Sequence, residues 1–154
     1  MNDYIYQNVT VYKTFDVSIM LYFEKNRQGW SNVFGFQKQG VKDVGMGSRV
    51  PGVWLRPFST VLHICMALNN RPSDCRDSDE MPIETWFKLN IKQFRWEGKY
   101  TYQIFIDDVL KHSVINNQPM IFEEVNGVIA NSYLAGWKTP VGQFKEFQFN
   151  SVNI

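Results

Sequence analysis

Along most of the chain, apolar and polar side chains alternate one for one, the period of a strand that lays one face on a core. Val17, Ile19, Leu21 and Phe23 alternate with Asp16, Ser18, Met20 and Tyr22. The design recurs with Leu62, Ile64, Met66 and Leu68 set against Val61, His63, Cys65 and Ala67, and with Phe87, Leu89 and Ile91 set against Lys88, Asn90 and Lys92. Tyr100, Tyr102, Ile104 and Ile106 continue it against Thr101, Gln103, Phe105 and Asp107. Outward positions rich in Lys, Asn, Thr and Gln imply sheets with one face in water, which favours antiparallel pairing. Turn formers separate the runs at Arg27-Gln28-Gly29, Gly45-Met46-Gly47, Arg71-Pro72, Glu97-Gly98-Lys99, Asp107-Asp108 and Asn116-Asn117. Strands at this spacing predict an all-β sandwich or barrel. No amphipathic helix, repeat or linker interrupts the pattern, so residues 1–154 read as a single domain. The polar stretch from Arg71 to Pro82 reads as the longest loop, and as the place for mobility or function.

Composition sharpens this picture. Fifteen Val and eleven Ile against three Ala favour pleated strands over helices. A net charge of +1 provides no field to gather nucleic acid, so no nucleic-acid partner is expected. No apolar run approaches the roughly 20 residues of a membrane span. The first six residues carry neither a basic start nor an apolar stretch, which leaves a cytosolic protein or an excised or processed domain. Cys65 and Cys75 bracket Asn69-Asn70-Arg71-Pro72-Ser73, so they are either two unrelated thiols or a disulfide across a hairpin loop, and we expect the disulfide. A bridge implies an oxidising compartment, with which the sequon Asn8-Val9-Thr10 is compatible.

The middle of the chain reads Trp30-Ser31-Asn32-Val33-Phe34, then Gly47-Ser48-Arg49-Val50-Pro51-Gly52-Val53-Trp54-Leu55, then Leu62-His63-Ile64. With Pro82 to Gln93, Tyr100 to Val109 and the closing Phe147-Gln148-Phe149, it resembles the laminin G-like, concanavalin A-like lectin and glucanase group of jelly rolls. Asp108 stands where that group usually has Gly. The resemblance covers nearly the whole chain and implies a two-sheet antiparallel jelly-roll sandwich whose C-terminal strand returns beside the N-terminal one. It also implies an extracellular setting. The matched motifs are structural glycines, prolines and core aromatics, so they specify fold more than function.

Glucanases of this group carry paired carboxylates on one strand, about 5 Å apart across the glycosidic bond. Glu-x-Asp-x-x-Glu is missing here, and no enzymatic activity is expected. His63 reads as a polar-face strand residue, and neither it nor His112 lies in a metal-ligand spacing. Because relatives hold a hard cation at the sandwich rim, Ca2+ at Asp74, Asp77 and Asp79 is the cofactor expectation. Sugar rings rest on Trp, and Trp30, Trp96 and Trp137 stand beside turn residues, so these three are the candidate ligand-binding residues, whereas Trp54 and Trp86 read as core. The functional expectation is an extracellular, lectin-like carbohydrate-binding module, with a protein-binding adhesion or assembly domain as the alternative.

Overall fold

The computed structural model describes residues 4–42, 44–129 and 141–154. Its strands are β1 (Tyr4–Val11), β2 (Thr14–Lys25), β3 (Ser31–Lys38), β4 (Gly52–Leu55), β5 (Val61–Leu68) and β6 (Arg71–Glu80). They continue with β7 (Phe87–Trp96), β8 (Lys99–Ile106), β9 (Val109–Asn116), β10 (Phe122–Ile129) and β11 (Val141–Val152). No helix occurs among the described residues. A six-stranded sheet in the order β1-β10-β3-β4-β5-β6 faces a five-stranded sheet in the order β11-β2-β7-β8-β9, with antiparallel neighbours throughout.

The core lies between the sheets and is filled by the side chains that the alternation assigns to it. Val17, Ile19, Leu21 and Phe23 of β2 meet Leu62, Ile64, Met66 and Leu68 of β5 in one buried cluster, joined by Phe87, Leu89, Ile91 and Tyr102. Burying each large aliphatic side chain contributes about 1.5–3 kcal/mol, so this single alternating set supplies most of the driving force for closing the sandwich. The last strand pairs with β2 rather than with β1. It meets the first strand through ring contacts of Tyr6 with Phe147 and Phe149, and Ser151 Oγ accepts from the Tyr12 backbone N–H at 2.8 Å just beyond β1.

Two-residue turns with positive φ at both positions close three hairpins: Asn69-Asn70, Glu97-Gly98 and Asp107-Asp108. That backbone matches the twist of the flanking strands, and Asn, Asp and Gly adopt it at least cost. The first turn precedes the expected position at Arg71-Pro72, and the expected loop from Arg71 is instead strand β6. A strand this polar is legible only as an edge, because it pairs on one side alone. Proline and charges are tolerated there and discourage pairing with other chains.

One end of the sandwich is tied shut by polar side chains. Buried Asn116 donates from Nδ2 to Gln93 Oε1 at 3.0 Å, while its Oδ1 accepts from the Asn69 backbone at 3.0 Å. Gln93 in turn donates to the Lys13 carbonyl at 2.8 Å. These bonds join the β5–β6 turn to the five-stranded sheet, beside the β7–β8 turn.

Candidate functional site

The outward alternation of the six-stranded sheet brings chemistry together at its other end. Cross-strand register sets Asn32, Trp54, His63 and Asp77 in one row across β3 to β6. Trp30 precedes this row and Arg56 follows β4. Asp77 accepts through Oδ1 from His63 Nδ1 at 2.7 Å and through Oδ2 from Arg56 Nε at 2.7 Å. The Arg56 guanidinium lies 5.2 Å from the Trp30 ring centre, and Trp30 meets His63 edge-on at 5.2 Å. Burial opposes ionisation of Asp77, but the hydrogen bonds from His63 and Arg56 outweigh it and hold the carboxyl below its ordinary range. Since a carboxylate only accepts, Nδ1 of His63 carries the proton of this bond. Exposed ion pairs of this kind contribute only about 0–1 kcal/mol, so their main effect is to fix the orientation of donors and acceptors beside an aromatic ring.

The same face continues toward the disulfide. Cys65 and Cys75 stand directly opposite each other on β5 and β6, with Cα atoms 4.1 Å apart, and are bonded as the sequence led us to expect. Arg49 donates to Ser73 Oγ at 3.1 Å, and its guanidinium lies 4.7 Å from the Trp54 ring centre. Trp54 is only 6% exposed although it points away from the core. Its ring folds back over Gly52, where a Cβ would sit 2.5 Å from a ring carbon, so glycine is required at that position. Buried Asn32 donates to the Phe34 and Val53 carbonyls at 3.3 Å and so satisfies the backbone where β3 bulges against β4.

Of the expected ligand residues, Trp30 belongs to this cluster. Trp96 is 66% exposed at the β7–β8 turn, at the opposite end of the sandwich and on the other sheet. Trp137 lies outside the described residues. Trp54 is buried as expected, whereas Trp86 is not core. It is half-buried on the outside of the five-stranded sheet, 5.3 Å from Tyr22, with Lys145 Nζ 4.2 Å from its ring centre. It immediately precedes Phe87 and takes the opposite face.

The three aspartates do not fit a shared calcium ion. Asp74 lies opposite core residue Met66 and turns inward, whereas Asp77 lies opposite His63 and turns outward. Asp74 is paired with Arg71 at 3.1 Å, and Asp77 with Arg56 and His63. Asp79 lies within an irregularity in the pairing and lines a cleft with Asp77, Glu80 and Lys111, away from inward-turned Asp74. Strand periodicity scatters what a loop could have gathered. Among the described residues, the metal-ligating side chains that do converge are His63, Cys65 and Cys75.

Inside the open edge between β6 and β9, Asp74 acts on a buried ring, Tyr102, and a half-buried one, His112. Burial, and secondarily the Asp74 charge, push the Tyr102 hydroxyl far up. Burial, reinforced by Arg76 and opposed by Asp74, pulls His112 below the ordinary imidazole range. A cavity of about 100 Å³ lined by Arg76, Ser78, Ile104, Lys111 and His112 opens there. Arg49, Arg56 and His63 went unrecognised as site residues because alternation assigns a face without assigning neighbours. Outward parity of His63 and Cys65 was the available signal, and it acquires meaning only once β4, β5 and β6 are in register.

No family model matches the chain, and no curated protein matches its sequence. Solved structures do match in fold. The heptameric SAP-like pentraxin of Limulus polyphemus aligns at TM-score 0.59 and 9% identity over 95% of this chain and 67% of its own. Sheep galectin-11, solved with glycerol, aligns at TM-score 0.50 and 11% identity over 97% and 99%. The carbohydrate-binding module CBM66 of Bacillus subtilis aligns at TM-score 0.50 and 11% identity over 93% and 78%. Botulinum neurotoxin binding domains and alginate lyase are further neighbours, and all share one architecture. The two antiparallel sheets, their strand order and these neighbours together identify the chain as a jelly-roll sandwich of the concanavalin A-like type.

Proposed function

We propose that this domain is a non-catalytic, extracellular carbohydrate-binding module, and that sugar docks on the outer face of the six-stranded sheet at Trp30, Arg56, His63 and Asp77. One observation carries the reading: a half-buried tryptophan stands beside a hydrogen-bonded arginine, carboxylate and imidazole on an open sheet face. The apolar face of a sugar ring rests on an indole, while hydroxyls pair with fixed donors and acceptors. Galectin-11 and CBM66 lend the reading a precedent of fold alone. The disulfide supports an oxidising compartment. A non-catalytic role is supported by Asp77 being bonded through both oxygens to Arg56 and His63, a structural commitment that leaves neither oxygen free of a partner.

A glycan array read with the folded domain tests this. Selective binding that weakens about thirtyfold in Trp30→Ala, at an unchanged melting temperature, supports the site. Selective binding that survives Trp30→Ala sinks it, and release of reducing ends from a bound glycan sinks the non-catalytic assignment.

A protein-binding role is the second reading, favoured by the outside of the five-stranded sheet. There Phe94, Phe105 and exposed Ile115 share a face with Trp96. Silence on the array, combined with capture of an extracellular protein that Trp96→Ala abolishes, would favour it.

A further inference from the structure

We infer that reduction of the Cys65–Cys75 disulfide turns this part of the sheet face into a zinc site, held by both thiolates and the His63 imidazole. The inference shares His63 and Asp77 with the glycan reading but does not rest on it, because it turns on the sulfur pair and is read by metal binding without a glycan. A ring nitrogen of His63 and both sulfurs lie within 4.8 Å of one another. Ligands around a tetrahedral zinc stand roughly 3.5 Å apart, given metal–ligand bonds of about 2.0–2.3 Å, so side-chain rotation of about an ångström suffices.

The backbone keeps the ligands together once the bond is broken. Ile64 opposite Arg76 and Met66 opposite Asp74 flank the cysteine pair, and the same ladder places His63 opposite Asp77. Reduced thiols are therefore held adjacent by the sheet. His63 is prepared as well, since its Nδ1 proton is committed to Asp77 at 2.7 Å. A carboxylate behind a ligating imidazole orients the ring and strengthens it as a ligand. Arg49 Nη1 stands 3.6 Å and 3.9 Å from the two sulfurs. Two soft sulfurs and an imidazole suit zinc rather than calcium or magnesium, and three protein ligands leave a fourth position open.

The chemistry balances with a dithiol reductant. It gives two electrons and two protons, becoming a cyclic disulfide, while the Cys65–Cys75 bond becomes two thiols. Each thiol then loses its proton as its sulfur bonds Zn2+, whose oxidation state is unchanged.

To test this, the whole domain is reduced under nitrogen with dithiothreitol, desalted, and titrated with Co2+ and then Zn2+. The expected result is a thiolate-to-cobalt charge-transfer band that saturates at one ion per chain, is displaced by Zn2+, and is absent from the oxidised protein. Asp77→Asn should weaken Zn2+ binding by about 10- to 100-fold, and His63→Gln by more. The Cys65→Ser/Cys75→Ser double variant, verified as folded by circular dichroism, should show no band. A reduced, folded protein without the band overturns the inference, as does a band that persists in the double variant. Unchanged affinity in His63→Gln also overturns it. So does a reduced chain that loses its sheet signal and does not regain it with Zn2+.

Discussion

The outer faces of the two sheets arise from the same alternation and carry different chemistry. On the five-stranded sheet, flexible lysines lie over rings: Lys92 Nζ is 4.9 Å from the Phe105 ring centre and 5.4 Å from that of Phe94. On the six-stranded sheet, planar guanidinium groups lie over indoles, and Arg56 is tied through Asp77 to His63. An arginine fork bonded to a carboxylate has lost its rotamer freedom already, whereas a lysine stem loses it only when a ligand arrives. The difference is one of preorganisation: charge and aromatic residues are present on both faces, and on the six-stranded sheet an arginine, a carboxylate and an imidazole are bonded to one another beside the indole.

The widest separation between the faces should appear in stability. Trp54 is outward yet buried, so Trp54→Ala should cost about 3–5 kcal/mol, a cost typical of core aromatics. Half-buried Phe105 on the other face should cost clearly less when truncated. Urea unfolding of both variants measures this, and equal losses would mean that the two faces are packed alike.

The disulfide comes next. Replacing both cysteines by serine should remove roughly 3 kcal/mol, the chain-entropy value for so short a loop. The unfolding free energy should fall while the denaturant slope changes little. A double variant as stable as the parent would show that the β5–β6 ladder alone holds this edge.

Binding gives a smaller but more discriminating contrast. With a glycan in hand, Trp30→Ala should lose about 2 kcal/mol of affinity and Trp96→Ala should lose none, because the two indoles sit at opposite ends. Calorimetry that gives the reverse order would move the site to the β7–β8 turn.

The smallest effect is a pH dependence at the open edge. Burial, reinforced by Arg76 and opposed by Asp74, lowers the pKa of His112, whose surroundings also include Tyr102, Asp77, Ser78 and Lys111. Its folded value lies below the ordinary 6.5, so the unfolded chain binds the proton more readily. Its stabilising contribution is complete above that ordinary value and declines as pH falls below it toward the folded value. Between about pH 7.5 and 5.5, the parent should lose more stability than His112→Asn. Parallel melting curves for the two proteins would remove His112 from this role.

Fold class, the faces of β2, β5, β7 and β8, and the cysteine pairing were all legible in the sequence, because each is local. Period-two alternation reports whether a side chain points inward, and a turn-rich segment of eleven residues, Cys65 to Cys75, reports that its ends meet. Strand β6 was not legible. An edge strand buries little, and the hydrophobic signature on which sequence reading depends was absent from Arg71 to Glu80. Taking those residues for a loop then gathered Asp74, Asp77 and Asp79 into one site, although strand parity sends Asp74 and Asp77 to opposite faces. Trp86 failed for a related reason, since the motif around it identifies a strand without saying which of two adjacent aromatics enters the core.

By itself, then, the alternation determined an all-β sandwich or barrel and the inward faces of its clearest strands, since burial follows directly from local periodicity, while the two-sheet jelly roll was implied by the resemblance. Only the tertiary structure decided that Trp30, Arg56, His63 and Asp77 become neighbours, because they come from four different segments. Their meeting depends on the register of β4, β5 and β6. A one-residue slip would redistribute these side chains between the faces without changing the composition of any strand.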